Sequence, residues 1–140
     1  MPYFIDTNIF LRTLYKEYPQ KFLECTNLFK SIRENKIDAA TGTICLTEVA
    51  YTLKTYYKFR KEKIIEGIRS IININGLKII DNYNQELALD IFEKYSVKFT
   101  DALIASSEDI YSRKMTVVSY DRDFDKLPIL YREPSEIKIK

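Results

Sequence analysis

Apolar positions recur along the chain with two different periods, and the alternation between those periods predicts the order of elements. Tyr3-Phe4-Ile5 is a short apolar run that stops at Asp6-Thr7-Asn8, a cluster of capping and turn residues, so a strand followed by a helix is expected. Over residues 19–35, Phe22, Cys25, Leu28, Phe29 and Ile32 return every three or four positions with charges between them, the pattern of an amphipathic helix. Residues 37–40 give a weaker strand pattern, closed by Thr41-Gly42-Thr43. Cys45, Val49, Leu53 and Tyr56 then mark one helical stripe, and Ile64, Ile65, Ile68, Ile71 and Ile72 another, stopped by Asn75-Gly76. Residues 77–80 read as a buried strand ending at Asp81, and Leu87, Ala88, Ile91, Phe92 and Tyr95 line the next helix. Thr100 is the expected N-cap of a further helix, with Phe99 and Ile104 as a hydrophobic staple and Asp101 in its first turn. Residues 115–119, β-branched at Thr116, Val117 and Val118, form a fourth strand that runs directly into Tyr120-Asp121-Arg122-Asp123. A short edge strand is expected from Ile129 onward.

Strands of this kind, separated by one or two helices and too short and apolar to alternate, belong to an open parallel sheet covered on both faces. The expected architecture is α/β, a three-layer α/β/α sandwich with a central parallel sheet of four to five strands. With 140 residues, no internal repeat and no Pro/Gly/Ser-rich linker, the chain is expected to form a single domain over 1–140.

Composition narrows the chemistry. A formal charge of +2 gives no bulk attraction to a polyanion, so any nucleic-acid site must be a local patch. The longest uninterrupted apolar run is the four residues 102–105, against the ~20 needed to cross a bilayer, and no membrane association is expected. Asp6 interrupts the N-terminal apolar stretch, which no basic region precedes, so a cytoplasmic protein is expected. Cys25 and Cys45 stand in no CxxC pair and read as free, buried thiols on helix faces. The chain contains no histidine, which removes Ser-His-Asp hydrolysis, Cys-His proteolysis and RNA cleavage by paired imidazoles. Its three glycines form no phosphate-cradling loop. Carboxylates are left to carry any catalysis.

In an open α/β sheet, ligands bind beyond the carboxyl ends of the strands, where Asp6, Asp81 and Asp121 fall. Each of these alone is an ordinary turn residue. Glu48 is more informative, because it lies at the edge of the stripe through Cys45, Val49 and Leu53 rather than opposite it. Two carboxylates roughly 4 Å apart repel by about 4 kcal/mol at an effective dielectric of 20, and a divalent cation reverses that penalty. Oxygen-only ligands select hard ions such as Mg²⁺ or Mn²⁺.

Four segments together resemble a family. Phe4-Ile5-Asp6-Thr7-Asn8, Leu46-Thr47-Glu48-Val49, Phe99-Thr100-Asp101-Ala102-Leu103-Ile104-Ala105 and Val118-Ser119-Tyr120-Asp121-Arg122-Asp123-Phe124 are similar to the successive motifs of PIN-domain ribonucleases. The likeness extends over nearly the whole chain, and its compact length is most similar to VapC-type toxins of toxin–antitoxin pairs. The resemblance implies that Asp6, Glu48, Asp101 and Asp121 hold one or two metal ions, with Asp123 as the alternate fourth acid. It also implies that Asn8 orients the Asp6 carboxylate and that Ser119 takes the small hydroxyl position before the last acid, while Asp81 drops out; Asp125, beyond Phe124 in an expected helical turn, reads as a solvated charge. The implied activity is Mg²⁺- or Mn²⁺-dependent hydrolysis of RNA phosphodiesters, leaving 5′-phosphate and 3′-hydroxyl ends. A small antitoxin and a second copy of the chain are the implied protein partners. A PIN nuclease of RNA processing outside a toxin pair, and a non-catalytic PIN-like scaffold, stand as alternatives.

For the RNA itself, Lys54, Lys58, Arg60, Lys61 and Lys63 interleave with Tyr51, Tyr56 and Tyr57, the mixture that unpaired RNA favours. Arg12 and Lys16 follow Asp6 on the same helix and are the better candidates. The polar, basic tail from Arg132 to Lys140 leaves three readings open: a frayed end, a clamp on a partner, or an RNA contact.

Overall fold

A computed structural model of the chain describes residues 1–139 and shows a five-stranded, all-parallel sheet in the order β3-β2-β1-β4-β5. The strands are β1 (Tyr3–Ile5), β2 (Ala39–Thr41), β3 (Leu77–Ile79), β4 (Thr116–Val118) and β5 (Tyr131–Arg132). Between β1 and β2 run α1 (Thr7–Leu14) and α2 (Pro19–Arg33), and between β2 and β3 run α3 (Thr43–Thr55) and α4 (Lys61–Ile72). Between β3 and β4 lie α5 (Gln85–Lys94), α6 (Phe99–Ala105) and the one-turn α7 (Glu108–Tyr111).

The two-residue period of the strands divides the core. Phe4, Ala40 and Val117 point to one face, where they pack with Ala88 and Ile91 of α5, Ala102, Ile104 and Ala105 of α6, and Ile110 of α7. Ile5, Ala39 and Val118 point to the other, against Ile9 and Phe10 of α1, Leu28, Phe29 and Ile32 of α2, Val49 and Leu53 of α3, and Ile71 of α4. Because both faces are covered, the central strands β2 and β4 are buried at every position, threonines included, rather than alternating between buried and exposed. The layers are α/β/α, with five strands.

Register places the ends that matter. Ile5 of β1 lies opposite Val118 of β4, and the Asp6 backbone N–H donates to the Val118 carbonyl at 3.0 Å. The chain turns one way from β1 to β2 and the other way to β4, so the crevice beyond β1 and β4 is the switch point of the sheet.

Four details differ from the sequence reading. Residues 37 and 38 lie outside β2, which starts at Ala39, and the edge pairing of β5 holds only Tyr131 and Arg132 rather than starting at Ile129. β3 is an edge strand whose Lys78 and Ile79 are exposed, not a buried strand, because its far side has no neighbouring strand. Helix α6 starts one residue before Thr100, with Lys98 in extended backbone as its N-cap. Phe99 accordingly makes no staple; its ring meets Phe92 of α5 edge-on at 5.5 Å, while Ile104 is wholly buried in the core.

Candidate metal centre

Four chain segments end in one cleft of about 180 Å³, lined by Asp6, Thr7, Asn8, Leu11, Glu48, Thr52, Lys98, Asp101 and Asp121. Asp6 follows β1 directly and occupies the N-cap position of α1, yet its side chain makes no capping bond. It is free to face the cleft. Ser119, the residue after β4, donates to Asp6 Oδ2 at 2.7 Å. The same Ser119 hydroxyl accepts from Asn8 Nδ2 at 2.9 Å and from the Asp121 backbone N–H at 3.0 Å. Asn8 closes the loop by accepting the Tyr120 backbone N–H at 3.2 Å. One small network thus fixes both strand ends and the carboxylate between them.

Glu48 enters from the second turn of α3, oriented by the Thr7 hydroxyl, which donates to Oε1 at 2.7 Å. Asp101, in the first turn of α6, is 2% exposed, and its buried Oδ2 has no hydrogen-bond partner. Asp121 Oδ1 accepts the Asp123 backbone N–H at 2.9 Å, and its Oδ2 lies 3.7 Å from Lys98 Nζ. Potential ligand atoms gather in two sets, each within 4.8 Å: Asp6 with Cys45 and Glu48, and Asp101 with Asp121 and Asp123.

The electrostatics follow from this crowding. Burial pushes the Asp6 carboxyl up to about 6, against the lowering effect of the Ser119 hydrogen bond, and Glu48 adds to the rise. Burial also pushes Asp101 up to about 7, with Asp6, Asp121 and Glu48 reinforcing it and Lys98 opposing it. Cys45 points its thiol at Asp6 Oδ1 across 3.9 Å; desolvation raises its pKa steeply, so it remains a neutral thiol. Cys25 is likewise buried and free, as the sequence predicts.

The remaining candidates separate clearly. Asp123 stands beside Asp101 and Asp121, but its Oδ1 is already paired with Lys126 Nζ at 3.0 Å. Asp81 accepts the Thr43 backbone N–H at 2.8 Å and the Thr43 hydroxyl at 2.6 Å, so it caps the entry to α3 and does not line the cleft. Asp125 is exposed and lines a different hollow with Arg122 and Arg132. Arg12 is half-buried and donates to the Tyr57 hydroxyl at 3.2 Å, while Lys16 sits 5.0 Å over the Phe22 ring. Lys54 is exposed on the last turn of α3, and Lys58 lines a separate hollow with Phe59, Arg60 and Lys63. Neither borders the acidic cleft. Lys98 and Thr7 are the two residues that sequence reasoning missed. The available signals were the i,i+3 spacing of Lys98 to Asp101 and the place of Thr7 between two polar neighbours.

A parallel α/β/α sandwich with carboxylates converging at its switch point defines a class of protein, and sequence comparison gives its family. The PIN domain family model matches residues 3–130. The chain belongs to the PIN domain family. Among solved structures, its fold is similar to a chain of VapBC2 from Rickettsia felis, crystallised bound to a DNA fragment from the promoter, at a TM-score of 0.69 and 23% identity, covering 95% of this chain and 98% of that one. A chain of DNA-bound VapBC from Salmonella typhimurium follows at 0.67 and 22% identity, covering 96% and 98%. A toxin–antitoxin complex from Klebsiella pneumoniae is similar at 0.62 and 20% identity, covering 96% and 99%. No curated protein matches the chain significantly by sequence.

Proposed function

We propose that this protein is an endoribonuclease that hydrolyses RNA phosphodiester bonds with Mg²⁺ or Mn²⁺, acting as the toxin of a toxin–antitoxin pair. The observation that carries the proposal is the convergence of Asp6, Glu48, Asp101 and Asp121 on one cleft, with Asp101 Oδ2 buried and unpartnered. Four carboxylates facing one Lys ammonium leave an excess of negative charge that a divalent cation matches. The donor set fits a hard ion. Asp6 and Glu48 on one side, and Asp101 and Asp121 on the other, are the residues that would hold it, with Asp123 in reserve. When bound, the ion supplies positive charge for phosphoryl transfer and lowers the pKa of water.

The chain's own residues do the rest. Ser119 and Asn8 hold Asp6 and the turn before Asp121 in a fixed relation. Such outer partners typically account for 10–100-fold in metal affinity or activity in other proteins. Thr7 turns Glu48 inward, and Lys98 holds Asp121 while presenting the only ammonium lining the cleft among the described residues. The toxin role rests on the likeness to VapBC and toxin–antitoxin structures; a small antitoxin partner and a homodimer belong to the same reading.

Incubating the protein with total RNA in Mg²⁺ and mapping new 5′ ends tests the nuclease. Discrete 5′-phosphate ends, absent with EDTA and with Asp101→Asn, are expected. The same ends produced by Asp101→Asn or in EDTA would overturn it.

A further inference from the structure

The two sets of acids differ in what holds them. Asp6 and Glu48 have neutral partners: the hydroxyls of Ser119 and Thr7, the Asn8 amide and the Cys45 thiol. Asp121 and Asp123 are each paired with a lysine. Lys98 Nζ lies 3.7 Å from Asp121 Oδ2. Lys126 Nζ lies 3.0 Å from Asp123 Oδ1, within the short turn Arg122–Lys126, and also donates to the Ser96 carbonyl at 3.1 Å. Ser96 stands just before Lys98 in the connection between α5 and α6, so both ammonium groups meet the acids from that connection.

A half-exposed lysine–aspartate pair ordinarily adds little to stability. This one differs in two respects. Its ammonium is anchored at a second point, on Ser96, which fixes the lysine against Asp123. Its carboxylate is also one of three whose oxygens come within 4.8 Å, beside an Asp101 that is 2% exposed and whose buried Oδ2 has no partner. A cation satisfies that orphaned oxygen, and Asp123 is the further ligand a second cation would draw on. Charge then decides how many ions the arrangement holds. With every acid ionised, Asp6, Glu48, Asp101, Asp121 and Asp123 face Lys98 and Lys126, an excess of three negative charges. One divalent ion lowers the excess to one, and a second would reverse its sign. Two dications also repel four times as strongly as two unit charges at the same distance. Without Lys126 the excess is four, which two divalent ions cancel.

We infer that Lys126 sets the metal count: by holding Asp123 it limits the acids to one divalent ion, and a second position, sharing Asp101 and Asp121 and adding Asp123, opens only when that lysine is removed. Lys126 is a positioning residue, acting through Asp123 alone. The inference rests on the metal-site reading above and adds its stoichiometry and the residue that fixes it.

Calorimetric titration of Mn²⁺ into the EDTA-treated, dialysed chain, carried to millimolar concentration, counts the ions. Electron paramagnetic resonance of the saturated protein shows whether two lie together, because neighbouring Mn²⁺ spins couple. The wild-type chain is expected to bind one ion with an uncoupled signal. Lys126→Met and Lys126→Gln should each bind two with a coupled signal, whereas Lys126→Arg, which keeps the charge and the reach, should bind one. Asp123→Asn should match the wild type. Combining Lys126→Met with Asp123→Asn should return the count to one, which a merely loosened turn would not do. Lys114→Met, in the turn that precedes β4, removes a positive charge elsewhere and should also bind one. Circular dichroism checks that each variant is folded. A coupled pair in the wild type, a single ion in the folded Lys126→Met and Lys126→Gln chains, or two ions in the double variant would each overturn the role of Lys126 while leaving the metal site standing. A folded wild-type chain that binds no Mn²⁺ would overturn the metal-site reading and this inference together.

Discussion

A carboxylate buried without a partner disfavours its own charge, and Asp101 Oδ2 is in that position beside three further acids. Lys98 offsets part of this from the N-cap of α6, with Asp101, Glu48, Asp121 and Asp6 all acting on its charge. A divalent ion and the Lys98 ammonium therefore compete for the same carboxylates. Lys98→Met keeps the length of the side chain and removes the charge, so Mn²⁺ affinity should rise about fivefold, the scale of a ~1 kcal/mol exposed ion pair. Weaker Mn²⁺ binding in calorimetry would instead make Lys98 an organiser of the acids. At this scale the sequence was partly legible. Strand-end position and the four family-like segments singled out the acids that the cleft gathers, and Asp81 proved to be turn chemistry of the kind its residue type favours. Thr7 and Lys98 escaped because hydroxyl direction and cation placement depend on which helices meet, not on local pattern.

Elements were legible where apolar period and length agreed, as in α2, α4, β1 and β4. Boundaries were less so, since a residue such as Phe99 chooses between starting a helix and stapling one according to what stands opposite; here that is Phe92. The exposure of β3 is a property of sheet order, which no window of residues 77–80 encodes. Gly76, in the turn that delivers β3, has φ of +89°, and a Cβ there would lie 2.6 Å from the Ile32 carbonyl oxygen. Gly76→Ala should consequently lose about 1–3 kcal/mol of stability while leaving Mn²⁺ affinity unchanged, as the turn lies outside the cleft. Chemical denaturation beside calorimetry checks both halves. Unaltered stability would show that the turn relaxes freely.

For the molecule as a whole, the raised acids link folding, protons and metal. Asp6 and Asp101 bind protons more tightly when folded, at about 6 and about 7, than in the unfolded chain at 3.8. Between those values the folded state holds the extra protons, so metal-free stability falls as pH rises, by about 1.4 kcal/mol per pH unit for each group within its window. The lowered Asp81 acts oppositely, but its contribution is complete above its unfolded value of 3.8. Thermal unfolding in EDTA should thus show Tm decreasing from pH 5 to pH 8, and Mn²⁺ should flatten or reverse that decrease. A metal-free Tm that rises over the same interval would contradict the buried, crowded state of these two acids.

The central claim is that the four carboxylates form a metal site, and titration of Mn²⁺ into EDTA-treated, dialysed protein at pH 7.5 tests it without requiring the right RNA. Saturable binding is predicted, weakened in folded Asp101→Asn by more than the 10–100-fold typical of outer-shell partners. The same substitution removes a buried charge, so its metal-free Tm should lie above that of the wild type. Absence of Mn²⁺ binding to the folded wild-type chain, or equal binding by Asp101→Asn, would contradict the account.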